Sequence, residues 1–439
     1  MKSVLLFILF LFSLVHSQTM SEKIKIKQIN TNLLDWGKKN NFTLSSLIEI
    51  SQDKDPKFIA KKEIKKNETI LIIPNNLMFT VDKALNLIGS KKLRKQYHQL
   101  RTEEFLYIEF EDEEYRKEEA FLSYIFYLME YRPKKYQKSK FYEEYKYYLE
   151  ALKIRPRVKP LFLDNDGCEK IYMTYLNTLY KSLKRDYEEE IFIFKGETYN
   201  KKDIDYEDYL PHRINVHNKG IKILNHKTMV PFLNYFESDY INDNANYIIE
   251  EDGSIRIYSK RNIQKYEEII IKSPKMTNAR YLLFRGKTYE KLVNYYDEYL
   301  IPAFGISLYY RFNIQDKELE HLHFINLLDK DFDEYAIEIY KDHLNILKDE
   351  RERNDTSGNG WPYEILMNNM KSFKEYIKNY NLDRIYEYFQ DAEIRNHIAR
   401  IIKGESRILE KAYSFVRKKA SKYFDVEHVK EVDLEDHDL

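Results

Sequence analysis

The sequence predicts a mixed α and β protein in which two strand-rich portions flank a helical stretch and a helical C-terminal region follows. Three observations carry that expectation. Short β-branched runs at Phe58 to Ala60 and Ile70 to Pro74 surround a turn-forming Asn67-Glu68-Thr69, and alternating strands return in Met229 to Lys272 around Asp252-Gly253. From Glu103 to about Lys184, segments such as EEAFLSYIFYLMEY and KSKFYEEYKYYLEALK repeat apolar residues every three and four positions, the period of a helix with a buried face. From Tyr289 onward helical periodicity dominates, interrupted by the charged, Gly-containing stretch DERERNDTSGNGWP at 349–362.

Taken in order, the elements begin with a leader. Lys2 precedes an almost unbroken apolar run from Val4 to Val15, and Val15 and Ser17 supply the small residues before a cut at Gln18. A charged start followed by a run too short to span a bilayer has the form of a secretory signal. Residues 1–17 are therefore expected to be a signal peptide, and the mature chain to be secretory or secreted. The alternative is a cytoplasmic protein starting at Met20, which the single cysteine would suit, and a retained membrane anchor is the third choice. Asn41, Asn67 and Asn354 begin N-x-T sequons that would accept glycans on the secretory route, although chance sequons are common in a chain so rich in Asn. A short helix is expected over Asn30 to Lys39, with Thr31 or Asn32 near its cap and Leu33, Leu34 and Trp36 turned inward. The last residues, VEHVKEVDLEDHDL, read as an acidic tail.

Composition excludes several classes of function. Lys plus Arg and Asp plus Glu both number 72, so no field of one sign attracts nucleic acid or an anionic membrane. With 43% apolar and 15% aromatic residues the chain belongs among folded proteins. Cys168 is the only cysteine, which rules out a disulfide framework, a thiolate zinc cluster and an internal redox pair. The histidines, including His212, His321 and His323, show no metal-ligand spacing, so no metal is expected. Gly220 and Gly286 stand alone rather than in phosphate-binding loops, and no hydrolase, kinase or dinucleotide motif is present.

Four segments, in this order, carry a resemblance: DPKFIAKKEIKKNETILIIPNNLMFT (55–80), VHNKGI (216–221), MVPFLNYFES (229–238) continued by YEEIIIKSPKMTNARYLLFRG (266–286), and EIRNHIARIIKGESRILEKA (393–412). They resemble, respectively, the opening GRGVFA hairpin, the V-x-S-R-x-F motif, the VPLADMLNH and GEEIFISYGxxSNAELLLxYG motifs, and the late helix pair of SET-domain protein methyltransferases of the Rubisco large-subunit type. The resemblance spans nearly the whole mature chain. It implies an α+β fold with a knotted, β-rich SET domain in two parts, 18–95 and 206–300, split by a helical insertion at 96–205. An all-helical substrate-binding domain at 301–425 and an acidic tail at 426–439 would complete the chain. It also implies S-adenosylmethionine as cofactor and a protein as substrate or partner.

At the positions that serve the family's chemistry, the residues differ. The two catalytic tyrosine positions fall on Ser273 and Arg285, and the glycine-rich edge on Asp55-Pro56-Lys57. The Ser-Arg pair falls on Asn218 and Lys219, and the Asn-His pair on Glu237 and Ser238, whereas Asn278 keeps its identity. Lys57, Asn218, Lys219, Glu237, Ser238 and Asn278 are thus the positions where the cofactor would bind. A lysine lacks the bidentate fork of arginine, and a glutamate would repel the cofactor's own carboxylate. Loss of even one preorganised catalytic group costs on the order of 10² to 10³ in rate. The expectation is a methyltransferase-like protein, catalytically impaired, that binds protein as a monomer without nucleic acid or a stable membrane span; the alternative is an active protein lysine or histidine methyltransferase. Under that alternative one of the many other tyrosines, for example Tyr258 or Tyr281, would have to swing into the channel.

Overall fold

The computed structural model describes residues 24–51, 56–102, 113–154, 167–168, 170–171, 174–195, 204–239, 242–272, 276–289, 298–303, 306–311 and 385–420. The leader, Ser273, Asn354, the 349–362 stretch and the acidic tail lie outside them. The chain divides into two compact units, one comprising residues 1–158 and 185–275, the other 159–184 and 276–439.

The first unit opens with helix α1, residues 24–39, which begins earlier than the expected Asn30. Thr31 and Asn32 are inside it, and the Thr31 hydroxyl donates to the Lys27 carbonyl one turn back instead of capping. Its strands are β1 (Thr43–Leu44), β2 (Ile48–Ile50), β3 (Phe58–Ala60), β4 (Thr69–Ile73), β5 (Gly220–Ile223), β6 (His226–Met229), β7 (Glu237–Ser238), β8 (Ala245–Ile249), β9 (Ile255–Ser259) and β10 (Ile270–Ile271). Six of them form one sheet in the order β1-β4-β9-β8-β10-β7. The β4–β9 ladder, Thr69 opposite Tyr258 through Ile73 opposite Ile255, joins strands nearly two hundred residues apart. Both β portions therefore share one sheet, as the α+β expectation required.

The pairing inside the first portion differs from the expected hairpin. β3 pairs with β2, Ile50 opposite Phe58, while β4 pairs with β1 and β9. The physical reason is burial on both sides: Phe58, Ala60, Ile70, Leu71 and Ile73 are all essentially buried, which a lone hairpin could not achieve. The Asp252-Gly253 turn joins β8 to β9 as expected, with Gly253 at φ 78°.

The helices of this unit are α2 (Val81–Ile88), α3 (Lys91–Thr102), α4 (Glu113–Tyr131), α5 (Pro133–Tyr136) and α6 (Lys140–Ile154); α7 (Tyr175–Lys195) enters it with its C-terminal half, and α8 (Tyr206–Lys219) follows. α2 is capped at both ends, by the Thr80 side chain and by Gly89 in the left-handed region. α4 is buried without interruption from Arg116 to Met129, so it is a central helix and not an amphipathic surface one. Phe79 ties it to α6 through ring contacts with Phe126, Phe141, Tyr145 and Tyr148. Each such fully buried aromatic contributes roughly 1.5–3 kcal/mol.

Among the described residues of the second unit, the longer elements are α9 (Asn278–Arg285), a hairpin of β11 (Glu298–Ala303) and β12 (Ile306–Arg311), and α10 (Ala392–Ala420). The hairpin corrects the expectation that helices take over from Tyr289. EYLIPA and ISLYYR are rich in β-branched and aromatic residues and pair from Glu298–Arg311 to Ala303–Ile306, and Pro302 would break a helix. The 393–412 segment, expected as part of a helix pair, lies in the single helix α10, which runs through Gly404. Cys168 is buried here, accepting at its carbonyl from the Asn177 amide, as suits a small apolar residue.

Candidate functional site

Strand β10 and the residues before it organise the first group of expected site residues. Ile269 donates to the Phe58 carbonyl at 3.0 Å, and Ile59 bridges Glu268, so β3 lies along one side of this stretch. On the other, Ile270 and Ile271 pair in parallel with Glu237 and Ser238 of β7. Lys57, Glu237 and Ser238 are thus gathered along one short segment of main chain. Lys57 is engaged there: its ammonium lies 3.2 Å from the Glu268 carboxylate, each side chain about 30% exposed. Asn244 locks the same segment, donating to the Glu268 carbonyl and to Glu267, and accepting from the Ile270 N–H.

The loop feeding β7 is strained and aromatic. Phe232 has φ 73°, and its ring stacks 3.8 Å from Phe42 with Trp36 beyond it. Phe58 packs against Tyr235 and Phe236, and the Tyr235 hydroxyl donates to Asn30. Between them, Asn234 is fully buried, and neither its amide oxygen nor its amide nitrogen is hydrogen-bonded among the described residues. A buried amide of this kind is a place for a water or a polar ligand atom. Sequence reading passed over Asn234, since an Asn in an apolar run signals nothing by itself.

Asn218 and Lys219 form the last turn of α8, immediately before β5. The adjoining Asn225-His226 belongs to the β5–β6 connection, where Leu224 and Asn225 take φ 48° and 67° and reverse the chain. Gly220 has a spatial role: a Cβ there would stand 2.3 Å from Lys227 Cε. The missing side chain lets Lys227 run into the interior.

That interior holds the largest concentration of charge among the described residues. Arg213 of α8 sends Nη1 to Glu119 Oε2 at 2.6 Å and Nε to Glu190 Oε2 at 3.1 Å, and lies 4.9 Å over the Tyr187 ring. The Lys227 ammonium pairs with the other Glu119 oxygen and sits 4.8 Å over Tyr115. His217 Nδ1 is 3.3 Å from Glu119, and the Tyr209 hydroxyl donates to Glu190 at 2.8 Å. Glu118 accepts from the Lys227 N–H and faces His226 Nδ1, both at 2.6 Å. Arg213, Glu119, Lys227 and Glu190 are each at most 2% exposed. Burial opposes ionisation of Glu119, but Lys227, His217 and Arg213 outweigh it and hold the carboxyl well below its usual range. Burial pushes Glu190 upward against the pull of Arg213. Nearby, burial lifts Asp186 to about 6 although Arg116 stands 3.9 Å away. Chemically the core of the cluster is a set of buried ion pairs in which Arg213 and Lys227 are met by Glu119 and Glu190.

In the second unit, Thr277 caps α9 by accepting from the Arg280 N–H. Asn278, the first helical residue, is 1% exposed and accepts from the Tyr289 N–H at 2.8 Å, so it pins the chain leaving the helix instead of capping it. Arg285 lies in the last turn before Gly286, which takes φ 69°. Tyr281 is buried and stacked on Tyr289 at 4.3 Å, and Tyr258 lies in β9 beneath the Arg256 guanidinium. Among the described residues no group of three or more His, Cys, Asp or Glu is arranged to hold a metal, and no helix is long and apolar enough to cross a membrane.

No protein-family profile matches the sequence, and no curated protein matches it significantly. Solved structures do match. The chain is similar to the SET domain of LSMT bound to lysine and AdoHcy, with 12% identity over 94% of this chain and 97% of that one, and a TM-score of 0.58. It is similar to Rubisco LSMT bound to AdoMet, with 14% identity over 93% and 97% and a TM-score of 0.57. A third match, Rubisco LSMT bound to sinefungin and monomethyllysine, gives 14%, 93% and 97%, and 0.56. With so little identity, what is shared is the fold, and this chain has the α+β fold of a SET-domain methyltransferase.

Proposed function

We propose that this chain is a non-catalytic, monomeric SET-fold protein of the secretory route, which uses its C-terminal region, 301–425, to bind a protein partner. The observation that carries the reading is the pair Glu237–Ser238 in β7, paired with β10, at the position where the resemblance requires an Asn-His pair. The donor set does not fit S-adenosylmethionine: Glu237 brings a carboxylate toward a ligand that carries its own. Lys57 and Glu268 fill with an ion pair an edge that the resemblance leaves to glycine. Asn218 and Lys219 offer no guanidinium fork, and Ser273 and Arg285 supply no phenol. No step of methyl transfer is assigned to these residues. The proposed extents are SET portions 18–95 and 206–300, with a helical insertion at 96–205.

A second reading, an active protein lysine or histidine methyltransferase, is favoured by the buried amide of Asn234 and by the cofactor-bound state of the matching structures. Isothermal titration of the folded chain with S-adenosylmethionine separates the two. The first reading expects no heat of binding up to millimolar ligand, and a micromolar dissociation constant would establish the second in its place.

A further inference from the structure

We propose that Asn41 and Asn67 are N-glycosylation sites, a reading that rests on the proposed secretory leader. Each starts an N-x-T sequon, Asn41-Phe42-Thr43 and Asn67-Glu68-Thr69. Both asparagines are exposed, and both occupy the left-handed region, at φ 65° and 67°. In each case the main chain is fixed while the side chain is left over. Asn41 donates its N–H to the Lys38 carbonyl as the chain turns out of α1, and Asn67 donates its N–H to the Ser259 carbonyl. Neither side-chain amide makes a hydrogen bond among the described residues, so attachment of a polar, bulky sugar breaks no internal bond and buries no polar atom.

Asparagine tolerates this backbone conformation better than other residues with a side chain, so the turn alone would account for Asn. Asn225 shows what that requirement alone looks like: it is exposed at φ 67°, and the residue two positions on is the buried Lys227. Asn41 and Asn67 instead have Thr43 and Thr69 at that offset, each the first residue of a strand, β1 and β4. Those two strands are antiparallel neighbours, Thr43 opposite Ile72. The acceptors therefore stand at opposite ends of one ladder, and β1 is the outer strand of the six-stranded sheet. A glycan at Asn41 would thus stand beside an edge strand, where bulk opposes pairing with another chain.

The modification forms a bond from the asparagine Nδ2 to C1 of a sugar and breaks the bond from C1 to a lipid pyrophosphate. The amide gives up one proton, which the departing lipid pyrophosphate accepts, so a lipid-pyrophosphate-linked oligosaccharide is the co-reactant. The test expresses the full chain in a eukaryotic secretory cell, once behind its own leader and once behind a replacement leader. Release of glycans by an amidase in heavy-oxygen water marks each occupied Asn as heavy-labelled Asp in the peptide mass spectrum. Label at both positions behind the native leader is expected, lost from one site in Thr43→Val and from the other in Thr69→Val, since valine suits a strand but removes the hydroxyl. Label only behind the replacement leader would refute the leader and, with it, glycosylation of the native protein. Absence of label behind both would show that the two asparagines serve their turns alone and would overturn the proposal.

Discussion

The charged interior around Arg213 and the segment around β10 lie in the same compact unit and follow opposite rules. Around Arg213, charges are almost completely removed from water and each is met by a partner. Around β10, the ion pair of Lys57 and Glu268 is about 30% exposed, and the surrounding packing is done by Phe58, Tyr235, Phe236 and Phe232. The chemistry-bearing side chains are thus spent on holding α4, α8 and β6 together, while the place expected to carry chemistry is held by apolar rings and main-chain bonds. A dense group of ionisable residues is commonly taken as a sign of function. Here the burial of Arg213, Lys227, Glu119 and Glu190, each held by an opposite charge, marks the cluster as scaffold.

Removing one partner tests this most severely at Arg213. Arg213→Met takes the cation from buried Glu190, while Glu119 keeps Lys227 and His217, and breaking a buried pair in this way costs about 3–5 kcal/mol. Urea unfolding followed by circular dichroism should show a loss of that size. The double replacement Arg213→Met with Glu190→Leu, which removes the orphaned carboxylate as well, should recover part of it. A single substitution costing less than about 1 kcal/mol would mean that water enters the cluster and that it is not the dry scaffold described.

Gly220→Ala probes the same network without touching a charge. The new Cβ would sit 2.3 Å from Lys227 Cε and 3.0 Å from the Val216 carbonyl oxygen. Lys227 cannot swing aside freely, because its ammonium is held by Glu119 and by the His217 carbonyl. Alanine normally stabilises a non-left-handed site through the unfolded chain by some tenths of a kcal/mol. Overpacking of about 1–3 kcal/mol should outweigh that gain. The same unfolding measurement decides the sign, and a stabilised Gly220→Ala would show that Lys227 has room to move.

How much of this was legible in the sequence follows from which force governs each part. The β8–β9 hairpin was readable because alternation and Asp252-Gly253 are local signals, and the fold class because the β portions and helical stretches follow one another in a recognisable order. The partner of β4 was not readable, since β9 lies far along the chain and only burial on both faces selects it over β3. The charged cluster was hidden for a related reason. Glu118 and Glu119 sit in a run, EEYRKEEAFL, that looks like a solvated helix face, and the residues that neutralise them come from α8 and β6. Gly220 gave no signal either, because its lack of a side chain serves a lysine seven residues away and not a turn.

Lys57→Met is the smallest of the three changes and the one that completes the comparison. It removes a cation from an ion pair, as Arg213→Met does, but the Glu268 carboxylate left behind is about 30% exposed and can turn to water. An exposed pair contributes at most about 1 kcal/mol, since solvent screens the attraction and two long side chains lose freedom to make it. The lysine stem can also be replaced in its packing by methionine, which has a similar reach without charge. The expected loss in urea unfolding is therefore under about 1 kcal/mol, several times smaller than at Arg213, and it should shrink further in high salt. A loss equal to that of Arg213→Met would show that Lys57 is as deeply committed to the structure as the buried cluster. The β10 segment would then be scaffold too, and the two regions would no longer differ in kind.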